Sequence, residues 1–185
     1  MGGPDMALLD EILEANRARA APEGDVGSFV ANRHLCIVTC VDPRLTRFFG
    51  DVTGVERGHA VAIRVPGARI RPGSEALRLL GASIYVNDCQ EVMVIAHTDC
   101  GVARVTDAEL RRVMRARGVK DDAIPADVAG FFGLVADVEA AALETVEAIR
   151  GAPFLPKHLP VHAVLMDIRT GALKLLERGY DAVFR

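Results

Sequence analysis

The stretch LCIVTCVDPR, residues 35–44, decides how the rest of the chain is read. Its first six residues are apolar or β-branched, too few for a buried helix and well suited to a strand covered on both faces. Two further runs have the same character, AVAIRV at 60–65 and EVMVIAH at 91–97. Each is followed by loop or helix pattern. Between the last two lies GSEALRLLGASIYVND, where Ser74 can cap a helix and Leu77, Leu80 and Ile84 recur at helical spacing. Strands buried on both faces and joined by a helix specify an α/β fold. The expectation is a mostly parallel central sheet, about four parallel strands plus an antiparallel edge strand, flanked by helices.

Outward from this centre the pattern continues. Residues Asp5 to Ala20 read as an amphipathic helix, with Asp5 as N-cap and a narrow apolar stripe of Leu8, Leu9, Ile12 and Leu13. VARVTDAELRRVMRARG reads as charged helix, VKDDAIPADVAG as loop, and Phe131 to Arg150 as helix again. VHAVLMDIRTGALKLLER closes the chain as two strands around a Thr170-Gly171 turn, so the last strand should run antiparallel. No repeat or composition break divides the chain. The expectation is one domain over 1–185, with 1–30 as an N-terminal helical arm lying across this domain or a partner subunit.

Composition restricts the classes of function. Of 185 residues, 50% are hydrophobic and 25% charged, and the net charge is only -3, which gives no footprint for nucleic acid or anionic lipid. A small-molecule role is favoured. No basic segment followed by an apolar one opens the sequence, and no run approaches the ~20 apolar residues of a membrane helix. A cytoplasmic protein is expected. Gly2 does not begin a myristoylation motif, since Met6 stands where Ser or Thr is needed. In a reducing compartment four cysteines point to metal, catalysis or core filling before disulfides.

Position chooses among these. Cys40, Asp42 and Arg44 follow one strand, and His97 and Cys100, in HTDCG, follow another. In a parallel sheet both groups fall at the carboxyl edge, where α/β folds bind ligands. Cys40, His97 and Cys100 then form a Cys2His set which, with one open position, is a catalytic zinc pattern. Cys100 sits where a helix should begin, so free N–H groups would lower its pKa, and Gly101 allows the tight turn. Asp42 is placed either to take the fourth zinc position or to accept a proton from bound water, and Arg44 can hold its carboxylate at two points.

Taken singly, each residue has an ordinary explanation. A strand cysteine is usually a small buried hydrophobe, and Cys36 and Cys89 keep that reading. His34, His59, His158 and His162 lack partner motifs and are assigned surface or structural roles; Arg111 and Arg112 read as a solvated helix face. Five such residues at two strand ends are harder to explain separately. Thr46 and Thr106 stand six positions after Cys40 and Cys100, so no Cys-x5-Arg phosphatase loop is present, nor is a Cys-x-x-Cys, P-loop or dinucleotide fingerprint.

The paired motifs CVDPR and HTDCG resemble the zinc site of the β-class carbonic anhydrases, Cys-x-Asp-x-Arg followed by His-x-x-Cys-Gly. The resemblance runs from about Leu35 to Leu176, through AVAIRVPGARI and VHAVLMDIRTGAL. It implies Zn2+ on Cys40, His97 and Cys100, Asp42 and Arg44 as a catalytic dyad, and reversible hydration of CO2 to bicarbonate and a proton by zinc-bound hydroxide. It also implies a homodimer or higher multiple of dimers, with the N-terminal helix reaching over the partner. In some members the equivalent Asp ligates zinc and closes the site. Gly101, Val65 and Gly67 are the substrate-side candidates. Here Val65-Pro66-Gly67 replaces the family's Asn-Ala-Gly, removing a polar side chain, and Pro43 replaces a common Ser or Ala. These departures leave two alternatives, hydrolysis of a CO2 analogue such as carbonyl sulfide or carbon disulfide, and a non-catalytic zinc-stabilised bicarbonate-binding dimer.

Overall fold

The computed structural model describes residues 8–19 and 28–183. Its elements are α1 (Leu8–Arg19), β1 (Leu35–Cys40), α2 (Leu45–Thr53), β2 (Ala60–Val65), α3 (Glu75–Val86), β3 (Glu91–His97), α4 (Gly101–Arg104), α5 (Asp107–Ala116), α6 (Val128–Phe132), α7 (Val138–Arg150), β4 (Val161–Met166), β5 (Leu173–Glu177) and α8 (Tyr180–Val183). The expected helix cap Asp5 and the break after Ala20 lie outside the described residues. Among those described, no helix is long and apolar enough to cross a membrane.

The five strands form one sheet in the order β2-β1-β3-β4-β5. The first four run parallel and β5 antiparallel to β4, as the apolar runs and the final turn predict. β1 is buried at all six positions because both of its neighbours are strands and both of its faces are covered. Cys36 and Val38 join a core with Leu77, Leu80 and Ile84 of α3 and Ala142, Val146 and Ile149 of α7. Leu35 and Ile37 belong to a second cluster with Leu45 of α2, Ile95, Val164 and Met166. Cys36 and Cys89 are buried free thiols, as their core reading requires.

Local chemistry sets the boundaries. Ser74 Oγ accepts from Leu77 N and starts α3. Asp167 Oδ1 accepts from Arg169 N and Thr170 N at 2.9 Å, and Gly171 at φ +76° completes the β4–β5 turn. The helix expected from Phe131 is in fact two. α6 is capped by Asp127 and stops at Gly133, in the left-handed conformation, while α7 starts afresh at Asp137, whose carboxylate accepts from Glu139 N and Ala140 N. One buried hydroxyl ties α7 to the segment after β2: Thr145 Oγ1 accepts from Ile70 N at 2.9 Å and faces the carbonyls of Ala68 and Ala141.

Arg111 departs from its expected solvated role. It is half-buried, pairs with Asp107 one turn back and donates to Ala126 O, fastening α5 to the approach to α6. Arg112 remains exposed.

Candidate metal centre

The strand order reverses between β1 and β3: from β1 the chain moves outward to β2, and from β3 it moves the other way to β4. In open α/β sheets the crevice outside the carboxyl ends at such a reversal is the ligand site. Cys40 is the last residue of β1 and His97 the last of β3. Beyond His97 the chain turns sharply through Asp99 at φ +56° to place Cys100 at the start of α4. Thr98 N bonds Met166 O and Thr98 Oγ1 accepts from Ile168 N, which fastens this turn to the end of β4.

Cys40, His97 and Cys100 therefore converge, with their ligand atoms all within 4.8 Å of one another and the two sulfurs 3.7 Å apart. All three are buried. His97 Nδ1 lies 2.8 Å from Thr98 O, an acceptor only, so its proton sits on Nδ1 and the lone pair on Nε2 faces the cysteines. That Nε2 is buried without a hydrogen-bond partner. An orphaned imidazole nitrogen between two sulfurs is what a metal ligand looks like when its second nitrogen is held by a carbonyl. The residues fit a Cys2His metal site, a donor set that would suit zinc.

The electrostatics favour a cation here. The Cys40 and Cys100 sulfurs share one hydrogen bond, which despite burial lowers the Cys40 thiol below its ordinary value, helped by His97 and by the N–H groups of Asp42 and Gly67. Cys100 is pushed up by the same contact and by burial, although the N–H groups of Val102 and Ala103 oppose this. The helix-start effect expected at Cys100 is thus present but outweighed by its neighbour. Burial disfavours protonated His97, yet the Cys40 thiolate and the Asp42 carboxylate raise its pKa overall.

Asp42 and Arg44 form the expected pair. Arg44 Nε lies 2.9 Å from Oδ1 and Nη2 2.7 Å from Oδ2, while the Arg44 N–H also reaches Oδ1. This contact outweighs partial burial and lowers the Asp42 carboxyl to about 2. Oδ2 lies 3.9 Å from His97 Nε2, so the carboxylate borders the ligand set. Two residues that the sequence reading did not single out complete the surroundings. Asp99 accepts from Arg44 Nη1 at 2.9 Å through Oδ2 and from Nη2 at 2.8 Å through its carbonyl, and it also pairs with Arg104. Arg64, on β2, donates to the carbonyls of Cys40 and Asp42 and to Thr46 Oγ1. Asp99 was visible inside HTDCG between two candidate ligands; Arg64 stands opposite Thr39 in the β1–β2 register, which sequence alone does not give.

A cavity of about 370 Å³ opens beside the site. Cys40, Val41, Asp42 and Pro43 form one wall, Gly101, Val102 and Val105 another, and Leu110, Phe132, Leu134 and Pro66 the remainder. Of the substrate-side candidates, Gly101 lines this cavity. Val65 packs on the core, and Gly67 turns its backbone toward Cys40; Pro66 between them reaches the cavity instead. His34, His59 and His162 have structural partners: Asp88, the Glu56 N–H, and Glu91 with the Gly179 N–H, respectively.

No family model matches the chain. The crystal structure of β-carbonic anhydrase isoform I from Trichomonas vaginalis is 32% identical, covers 95% of this chain and 100% of its own, and superposes with a TM-score of 0.88. The chain belongs to the β-carbonic anhydrase family. The putative carbonic anhydrase YtiB of Bacillus subtilis is 28% identical over 187 residues, 95% of this chain and 100% of that protein. The carbon disulfide hydrolase of Acidithiobacillus thiooxidans is 26% identical over 157 residues, 77% of each chain.

Proposed function

We propose that the chain is a zinc enzyme that interconverts CO2 and bicarbonate. The observation that carries this reading is the convergence of Cys40, Cys100 and the partnerless Nε2 of His97 beside a carboxylate that Arg44 holds at two points. Zinc held by these three residues would supply the Lewis acid that makes water nucleophilic near neutral pH.

The protein's own residues do the rest. Asp42, with both oxygens on Arg44, stays ionised beside the ligand set and would accept a hydrogen bond from the attacking water, orienting it. That engagement supports the open arrangement over one in which Asp42 fills the fourth position. The apolar walls formed by Val41, Val102, Val105 and Phe132 receive a small nonpolar substrate and exclude competing water. Charged bicarbonate is poorly matched to those walls, which favours its departure. Asp42→Ala should keep one zinc per chain and lose about 10- to 100-fold in CO2 hydration; loss of zinc instead would make Asp42 a ligand and support the non-catalytic bicarbonate-binding reading.

A second reading follows from the cavity, whose lining is largely apolar and which is roomier than CO2 needs. Together with the similarity to a carbon disulfide hydrolase it favours a sulfur analogue of CO2 as an alternative substrate. Parallel assays of CO2 hydration and of sulfide release from carbonyl sulfide or carbon disulfide separate the two. The same proposal takes 1–185 as one domain of a cytoplasmic homodimer or multiple of dimers. The exposed Leu8, Leu9, Ile12 and Leu13 of α1, within an arm over 1–30, would then lie on a partner subunit.

A further inference from the structure

We propose that Arg64 is a positioning residue for the metal centre, holding the backbone of the ligand loop from the neighbouring strand. The inference rests on the zinc reading above and extends it to a residue with no place in the ligand set or the dyad. Arg64 sits on β2, the edge strand, opposite Thr39. Its Nε donates to Cys40 O at 3.0 Å, Nη2 to Asp42 O at 2.5 Å and Nη1 to Thr46 Oγ1 at 3.0 Å.

These three acceptors bracket the segment that carries the site. Cys40 is where β1 ends, Asp42 is the carboxylate beside the ligands, and Thr46 lies in the first turn of α2. β1 stops pairing with β3 at Thr39, so the carbonyls of Cys40 and Asp42 lie beyond that ladder. A planar guanidinium with donors fixed in a fork satisfies both carbonyls and anchors the following helix at once; an ammonium on a flexible stem cannot impose that geometry. Arg44 fixes the Asp42 side chain and Arg64 fixes its main chain, so the carboxylate is held from two directions.

A role confined to folding would leave the ligand geometry unchanged, whereas a positioning role must alter the metal itself. The test compares Arg64→Met and Arg64→Lys with wild type, each loaded to one zinc per chain. Zinc release to an excess of a chromogenic chelator and the thiolate-to-metal charge-transfer band of the cobalt(II)-substituted protein are measured. Arg64→Met should release zinc about 10- to 100-fold faster and shift the cobalt band, as loss of an outer-shell partner does; Arg64→Lys should restore only part of either effect. Thr46→Val, which removes a single contact, should accelerate release by a smaller factor and keeps the test decisive if Arg64→Met does not fold. Release within twofold of wild type and an unmoved cobalt band, in whichever of these variants fold, would overturn the proposal even if melting temperatures fall. Wild-type protein that takes up no zinc would instead refute the underlying reading of the site.

Discussion

Arg44 grips Asp42 at two points, Nε on Oδ1 at 2.9 Å and Nη2 on Oδ2 at 2.7 Å, although only Pro43 separates them in the chain. The same guanidinium reaches across to Asp99, beside Cys100, so it links the two motifs that carry the candidate ligands. A bidentate pair fixes the carboxylate plane as well as its charge. Replacing Arg44 with Met should therefore lower kcat for CO2 hydration by about 10- to 100-fold while leaving zinc content at one per chain. Arg44→Lys should recover little, because a single ammonium cannot hold both oxygens. Loss of zinc in step with activity would contradict this division of labour.

The Asp42 carboxyl, held by Arg44, titrates at about 2 rather than at its ordinary 3.8. A depressed carboxyl contributes stability that is complete above the ordinary value and disappears as pH falls through the folded one. In metal-free protein the melting-temperature gap between wild type and Asp42→Asn should be constant from about pH 5 to 7, then shrink between pH 4 and 2. A gap that grows on acidification would show the pair to be absent in solution.

Gly67 occupies φ +61°, and a Cβ there would come within 2.9 Å of Val135 Cγ2. Gly67→Ala combines left-handed strain with overpacking and should cost about 2 kcal/mol or more by denaturant unfolding. Adding Val135→Ala should not restore stability, since the backbone strain remains. Because the Gly67 N–H also faces the Cys40 sulfur, zinc should leave Gly67→Ala faster than it leaves wild type.

Thr145 is fully buried and its hydroxyl accepts the Ile70 N–H. Thr145→Val leaves that donor and the Ala68 carbonyl without this partner and should destabilise by about 1–3 kcal/mol. Its zinc content should be unchanged, which sets it apart from the variants at the site.

β1 and β3 were legible because they are buried almost throughout and read as apolar runs, and two of the candidate ligands, Cys40 and His97, terminate them; β2 carries a similar run but is an edge strand buried only at Ile63. Less visible was anything set by interruption. Gly133 and Asp137 split the helix expected from Phe131, and a single-residue change of backbone conformation leaves little trace in periodicity. Helix α2 follows Pro43 and Arg44 without a capping side chain, so no start signal marked it. Arg64 and Pro66 acquire their places near the site only through the β1–β2 register and the turn after β2. Of the substrate-side candidates Gly101, Val65 and Gly67, Gly101 lines the cavity, and Pro66, between the other two, reaches it as well.

The most direct test of the account is stopped-flow CO2 hydration by protein carrying one zinc per chain, measured near pH 7 and near pH 8.5. The account predicts turnover at both, since Arg44 already engages both oxygens of Asp42. Zinc-loaded protein that hydrates no CO2 at either pH would contradict it.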